Sequence, residues 1–353
     1  MSVAPGIKKF FTTELLKWNI EENNRQLPWK NEKDPYKIWL SEIILQQTRA
    51  EQGRPYYEQF ILHYPEVQHL ANALEDEVFR LWQGLGYYNR CRNLIAAAKT
   101  ITQQYNGVFP ENYDEILALK GVGPYTAAAI TSFAFNLPYA VLDGNVYRVL
   151  SRYFGIDIPI DSTEGKKYFQ DMASELLDKK QPAAFNQAIM DFGASVCTPQ
   201  LPDCEHCPLQ SKCIAFRQNM ISLLPVKTKK LIIKERNFDY LVLTTEHEVY
   251  IQQRSQKDIW QGLYEFYLIE NEKNYQETSI WQQLKPYIQQ NIDIEFENRQ
   301  KLTHQLIRSK FHLILLKARP SFLTQGIWVE KDSLKNYPFP KTILSFLSRK
   351  KYF

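Results

Sequence analysis

The sequence has no apolar run approaching the roughly 20 residues that cross a bilayer, which excludes a helical membrane protein. Its opening stretch, MSVAPGIKKFFTTELLKW, shows neither a sustained apolar segment nor a cleavage signature, so no export signal is expected and the cytosol is the expected compartment. Charge of one sign is scarce as well. Against 43 Lys and Arg stand 39 Asp and Glu, a formal net charge of +4. Global electrostatics therefore neither demands nor excludes a nucleic acid, which would have to be held by local patches and backbone amides. There is no internal repeat and no low-complexity tract, and 353 residues suffice for two ordinary domains.

Cysteine is sparse, yet four of the five crowd into CTPQLPDCEHCPLQSKC, at Cys197, Cys204, Cys207 and Cys213. The spacing C-x6-C-x2-C-x5-C lets four thiolates reach one centre. Thiolates are the usual ligands of iron–sulfur clusters and of structural zinc, the latter here with His206 as a candidate ligand. Paired disulfides are the third reading and require an oxidising compartment. Cys91 lies in an apolar helical stretch and reads as core.

The first 224 residues read mainly as helix, with the cysteine region 197–213 at their end. Asp34-Pro35 predicts a helix start. Tyr36, Trp39, Leu40, Ile43 and Ile44 then follow the apolar spacing of a helix packed on one side. Similar stripes run through Val78–Trp82, Leu94–Ile101 and Val146–Phe154. Residues 225–236, PVKTKKLIIKER, form a basic stretch that reads as a solvated linker. From 237 to 353 strands dominate: FDYLVLTTE and EVYIQQRS as a hairpin, GLYEFYLIE and KFHLILLKAR as further strands, SIWQQLKPYIQQ and TILSFLSRK as helices. The expected fold is a mainly α domain followed by an α+β domain.

Three motifs carry chemistry. In LKGVGPYTAAAI, Gly121 and Gly123 allow a tight turn between two helices, whose backbone N–H groups can approach a phosphate. In LDGNVYRVL, Asp143 stands where a helix N-cap would stand. In WLSEIILQQT, Glu42 lies off the apolar stripe, a place usually taken by a solvated glutamate.

WLSEIILQQT, GLGYYNRCRNL, LKGVGPYTAAAI, LDGNVYRVL, FNQAIMDFGASVC and the cysteine window stand in the order and spacing of the MutY-type adenine DNA glycosylases, which this chain resembles. That family belongs to the helix–hairpin–helix superfamily. The resemblance covers nearly the whole chain. It implies a two-lobed helical domain and one [4Fe–4S] cluster on Cys197, Cys204, Cys207 and Cys213. It implies Glu42 as general acid and Asp143 as a second catalytic carboxylate, with Tyr125 and Asn145 positioning them. Arg25, Leu27, Trp29 and Gln187 match the adenine pocket. Gln46, Gln47, Thr48 and Tyr87 match positions that fill or wedge the duplex. The implied partner is double-stranded DNA with adenine mispairs, bound by a monomer in a bacterial-type cytosol at the nucleoid. Tyr125 stands where lyase-proficient relatives carry a lysine, and a phenol cannot form a Schiff base. An endonuclease III-like lyase is the rival enzyme; a non-catalytic iron–sulfur DNA binder is the rival of another class and needs neither carboxylate.

The family's basic loop between the first two cluster cysteines is TPQLPD here, without Lys or Arg. The C-terminal part, clearest in RSQKDIWQGLYEF, resembles the Nudix-like domain of the same family. It lacks the glutamate-rich helix that holds metal in Nudix hydrolases, so it is expected to recognise rather than hydrolyse. The family's reading loop corresponds to Leu302-Thr303-His304.

Overall fold

The structure is a computed structural model that describes residues 3–228 and 232–350, so Lys229 and Lys230 of the basic stretch lie outside it. Among the described residues, no helix is long and apolar enough to cross a membrane. The chain forms two compact units: residues 1–72 with 93–230, and residues 73–92 with 231–353.

The first unit is helical. Asp34 starts the Pro35–Leu45 helix by accepting from the Tyr36 amide at 2.9 Å. The one-sided stripe expected of this helix is not what forms. Burial extends almost all round it, to Ser41 and Glu42 as well as to the apolar positions. Both faces pack, against the Ala50–His63 and Pro124–Phe135 helices. A helix enclosed in this way carries any polar side chain into the interior.

The Tyr113–Ala118 and Pro124–Phe135 helices form the expected hairpin. Asn112 caps the first through the Asp114 and Glu115 amides. Gly121 turns the chain at φ +81°, and a Cβ there would sit 2.6 Å from Cβ of Asn93. Conformation and space both require glycine. Gly123 is the N-cap of the second helix; a Cβ there meets nothing within 4 Å, so the helix start is open. The Gly144–Phe154 and Pro182–Ser195 helices cross in the core, with Val149, Leu150, Phe185 and Phe192 buried between them and the Pro5–Glu21 helix.

The second unit is α+β. Its strands are β1 (Lys234–Thr244), β2 (Glu248–Gln253), β3 (Tyr264–Glu265), β4 (Tyr267–Glu270), β5 (Ile288–Lys301), β6 (Gln305–Leu316) and β7 (Ile327–Glu330). The sheet order is β3-β2-β1-β6-β5, with β1 and β6 parallel from Lys234↔Gln305 to Thr244↔Leu315. The expected β1–β2 hairpin pairs at its end, Thr244↔Val249, because β6 and β4 occupy the edges of β1. SIWQQLKPYIQQ is not one helix. Helix ends at Leu284, a short 3₁₀ turn holds Pro286, and the chain enters β5 at Ile288. Proline has no N–H to continue the helix. β5 itself was not expected; its signal was the alternation Ile292, Ile294, Phe296 against acidic and amide neighbours.

Arg236 belongs to β1 and is not a solvated linker residue. It is buried, paired with Asp258 and Glu270 at 2.7 Å each. Arg254 binds Asp258 at 3.0 Å and Glu265 at 2.5 Å, so these three carboxylates face guanidinium groups. Folding of the last segment as helix matches expectation at Lys341–Lys350.

Candidate active site

A cleft of about 1000 Å³ opens in the helical unit. Glu42, Tyr125, Asp143 and Asn145 reach its wall from three different helices or their starts. Arg25, Leu27, Trp29, Gln46, Gln47, Thr48, Gly121, Gly123 and Gln187 line it too.

Glu42 is 7% exposed rather than solvated. Burial pushes its carboxyl up to about 7; a hydrogen bond from Tyr125 opposes the rise, and the charge of Asp143 adds to it. The Tyr125 phenol lies far above its usual range through burial and the nearby carboxylates. It therefore stays protonated and donates to Glu42.

Asp143 is an N-cap and a cleft residue at once. It accepts from the Asn145 amide at 2.9 Å, the Val146 amide at 2.8 Å and Asn145 Nδ2 at 2.7 Å. Burial raises its carboxyl, while these bonds and the charge of Arg148 hold it down. The two carboxyls thus sit in different surroundings: Glu42 has a phenol donor, Asp143 has three N–H donors and a nearby cation. Burial prevails at Asp143, whose carboxyl stays above its ordinary value, and the unlike donors give the two carboxyls different proton affinities.

Two arginines missed in the sequence organise this region. Arg148 donates to Asn145 Oδ1 at 2.8 Å, to the Gly193 carbonyl at 2.6 Å and to the Cys197 carbonyl at 2.7 Å. Arg152 donates to the carbonyls of Thr198 at 2.7 Å and Pro199 at 3.1 Å and lies 3.5 Å from Cys197 Sγ. Their signal was a pair of arginines one helical turn apart in the apolar stretch VYRVLSRYF. Asp191 was missed as well. Fully buried, it accepts from Arg25 at 2.7 Å, Asn23 at 3.0 Å and Gln187 at 3.0 Å. Its place four residues after Gln187 on one helix was the available clue.

The Pro35–Leu45 helix stops before Gln46, whose Nε2 lies 3.4 Å from Thr126 Oγ1. Gln47 is left-handed at φ +57°. A non-glycine residue there costs roughly 1–2 kcal/mol, and strain of this kind gathers at functional sites.

Cys197, Cys204, Cys207 and Cys213 line one small cavity walled by Val149, Tyr153, Phe192 and Leu209. Burial raises the Cys204 and Cys213 thiols and pushes Cys207 up to about 12. His206 points to solvent, bonded to Asp203 at 2.9 Å, and is not on this wall. Among the described residues, no three His, Cys, Asp or Glu side chains are placed to hold one metal ion. Four thiols on one shared cavity are the donor type that an iron–sulfur cluster would require. The TPQLPD loop turns its carbonyls toward Arg152 and leaves Leu201 96% exposed at φ +49°.

The remaining candidates belong to the second unit. Leu302-Thr303-His304 is the tip of the β5–β6 hairpin, closed by the Leu302 amide on the Gln305 carbonyl at 2.8 Å. The Lys234 amide holds the His304 carbonyl at 2.9 Å. Tyr87, 44% exposed and left-handed at φ +50°, brings its hydroxyl against that of Thr303.

Comparison with known proteins follows this division. Residues 40–176 match the HhH-GPD superfamily of base excision DNA repair proteins, and residues 239–349 match the NUDIX domain. An adenine DNA glycosylase of Buchnera aphidicola (subsp. Schizaphis graminum) is 32% identical over 344 residues, spanning 96% of this chain and 97% of that protein. The adenine DNA glycosylase of Mus musculus is 40% identical over 227 residues, 61% of this chain and 44% of that one. A thermostable thymine-DNA glycosylase structure superposes with a TM-score of 0.56 at 30% identity, covering 60% of this chain and 98% of that one. Relatives from bacteria and mammals alike leave the bacterial-type compartment without support.

Proposed function

This chain belongs to the adenine DNA glycosylases of the helix–hairpin–helix superfamily, and we propose that it excises adenine opposite 8-oxoguanine or guanine as a monofunctional enzyme. The observation that carries this reading is the pair Glu42 and Asp143 on one cleft, the first held near 7 by burial and the second held by N–H donors. Adenine leaves once its ring is protonated, and protonated Glu42 delivers that proton to N7 of the extruded base. Positive charge then develops on the sugar, as in glycoside hydrolysis generally. Asp143, aligned by Asn145, faces that charge as a carboxylate. Water completes hydrolysis to an abasic site. Tyr125 donates to Glu42 and offers no amine for strand cleavage.

A monomer on double-stranded DNA would place the cleft on the adenine. Arg25, Leu27, Trp29 and Gln187 would surround that base, and Gln46, Gln47 and Thr48 would fill the duplex beside it; Tyr87, in the second unit, would act separately as a wedge. The open helix start at Gly123, with Gly121, suits a phosphate. The Leu302-Thr303-His304 tip reads the opposite base through its hydroxyl and imidazole.

Cys197, Cys204, Cys207 and Cys213 would hold one [4Fe–4S] cluster. When bound, it supplies a rigid cross-link of the 197–213 segment, and the hydrolysis above uses only side chains. Purified protein is expected to contain iron and acid-labile sulfide in matching amounts. Stoichiometric zinc without iron would overturn this ligand assignment.

The function is tested by single-turnover release of adenine from 8-oxoguanine:adenine and guanine:adenine duplexes, with borohydride added to parallel samples. We expect excision from both, a preference for the 8-oxoguanine duplex, and little trapped covalent complex. Thr303→Ala/His304→Ala should shrink that preference by about 1–3 kcal/mol and spare guanine:adenine excision. No adenine release from either duplex refutes the activity; an unchanged preference in the double variant moves recognition out of the hairpin tip.

A further inference from the structure

Gln187 is the one primary amide among the residues matched to the adenine pocket, and an amide can present either end. Its Nε2 donates to Asp191 Oδ2 at 3.0 Å. Asp191 offers nothing but acceptors on this side: Oδ1 takes Arg25 Nη1 at 2.7 Å, and Oδ2 also takes Asn23 Nδ2 at 3.0 Å, with Lys30 Nζ at 3.4 Å. The carboxylate is fully buried and ringed by donors from a segment more than 160 residues away. A carboxylate so placed can bind only the NH₂ end of the glutamine. The carbonyl end, Oε1, is therefore the free end of a side chain that lines the cleft.

We propose that Asp191 is a specificity-determining positioning residue: it fixes the polarity of Gln187, so that the cleft presents an acceptor to the 6-position of the extruded purine. An acceptor matches the 6-amino group of adenine and opposes the 6-oxo group of guanine or hypoxanthine. Adenine shows N6–H as a donor, whereas a 6-oxopurine shows O6 as an acceptor. The inference rests on the reading of this cleft as the adenine pocket, and it adds a reason for base choice that Glu42 and Asp143 do not supply. Those two carboxyls act on ring protonation and on the sugar, features that both purines share.

The shape of the network makes the idea testable with isosteric changes. In Asp191→Asn, the new amide can donate to Gln187 Oε1 and so turn Gln187 over, presenting Nε2 to the base. In Asp191→Asn/Gln187→Glu, residue 187 is a carboxylate. One oxygen accepts from the amide introduced at position 191, and the other again faces the base as an acceptor. The double variant also restores the negative charge that Arg25 and Lys30 lose in the single one.

The experiment is single-turnover excision from duplexes carrying adenine or hypoxanthine opposite 8-oxoguanine, with the full-length protein and both variants, and with melting temperatures recorded alongside. Asp191→Asn should lower the adenine-over-hypoxanthine ratio by about 10- to 100-fold, the range of one reversed base contact. The double variant should return the ratio toward wild type. A merely structural role would lower both rates together and leave the ratio alone. Equal ratios in wild type and Asp191→Asn, or no recovery in the double variant, would refute the proposal while leaving adenine excision intact. If the wild-type protein excised no adenine, the pocket reading itself would be the part that fails.

Discussion

Glu42→Gln will bind mismatch DNA yet lose about 10²–10⁴-fold in single-turnover excision, the usual contribution of a positioned general acid. The same residue sets the pH profile. Its carboxyl is raised to about 7 by burial, and an acid catalyst must be protonated. Excision should therefore be full between the acid limb set by Asp143 and about pH 7, and fall as pH rises through 7, about tenfold per unit beyond. Tyr125→Phe refines the sign. The phenol donates to the ionised form and so pulls Glu42 down. Removing that donor should move the alkaline limb to higher pH, even if positioning suffers and the plateau drops. An alkaline limb that stays in place in Tyr125→Phe, or that persists in Glu42→Gln, would assign the limb to another group.

What could be read in the sequence, and what could not, follows from where each residue finds its partners. Asp143 was visible because a cap bonds its own neighbours, Asn145 and Val146. The hairpin was visible because Gly121 answers a local backbone demand. Glu42 looked solvated because the apolar spacing of its helix marks one face, whereas the fold covers both. Asp191 stayed hidden because its donors, Asn23 and Arg25, arrive from the far end of the unit. Arg236 reads as part of a basic linker because its partners, Asp258 and Glu270, lie on later segments that the fold brings to β1. For Asp191 and Arg236 the sequence displays the charge and the fold chooses its neutraliser.

Arg148 leads to the second large effect. One buried guanidinium joins Asn145, which aligns Asp143, to the carbonyls of Gly193 and Cys197. The sequence around Cys197 is thereby tied to the carboxylate proposed to face the developing charge. Arg148→Met removes three consequences of that one group. Asn145 loses the donor on its Oδ1, so its hold on Asp143 loosens; misplacement of about 1 Å can cost about 10²-fold in rate. The nearby positive charge goes, and that charge lowers the Asp143 carboxyl. A carboxylate whose proton affinity rises is ionised only at higher pH, so the acid limb of excision should shift upward. The Gly193 and Cys197 carbonyls lose a buried donor, and the 197–213 segment should bind iron less firmly. Arg148→Lys separates these effects. It keeps the charge and lacks the planar fork that serves four acceptors at once, the Gly144 carbonyl at 3.3 Å among them. It should return the acid limb toward its original position while leaving most of the rate deficit. Single-turnover rates across pH, with iron content measured on the same samples, distinguish the outcomes. Wild-type rates in both variants would mean that Asp143 is held by its cap bonds alone, and that the arginine serves the core without serving the reaction.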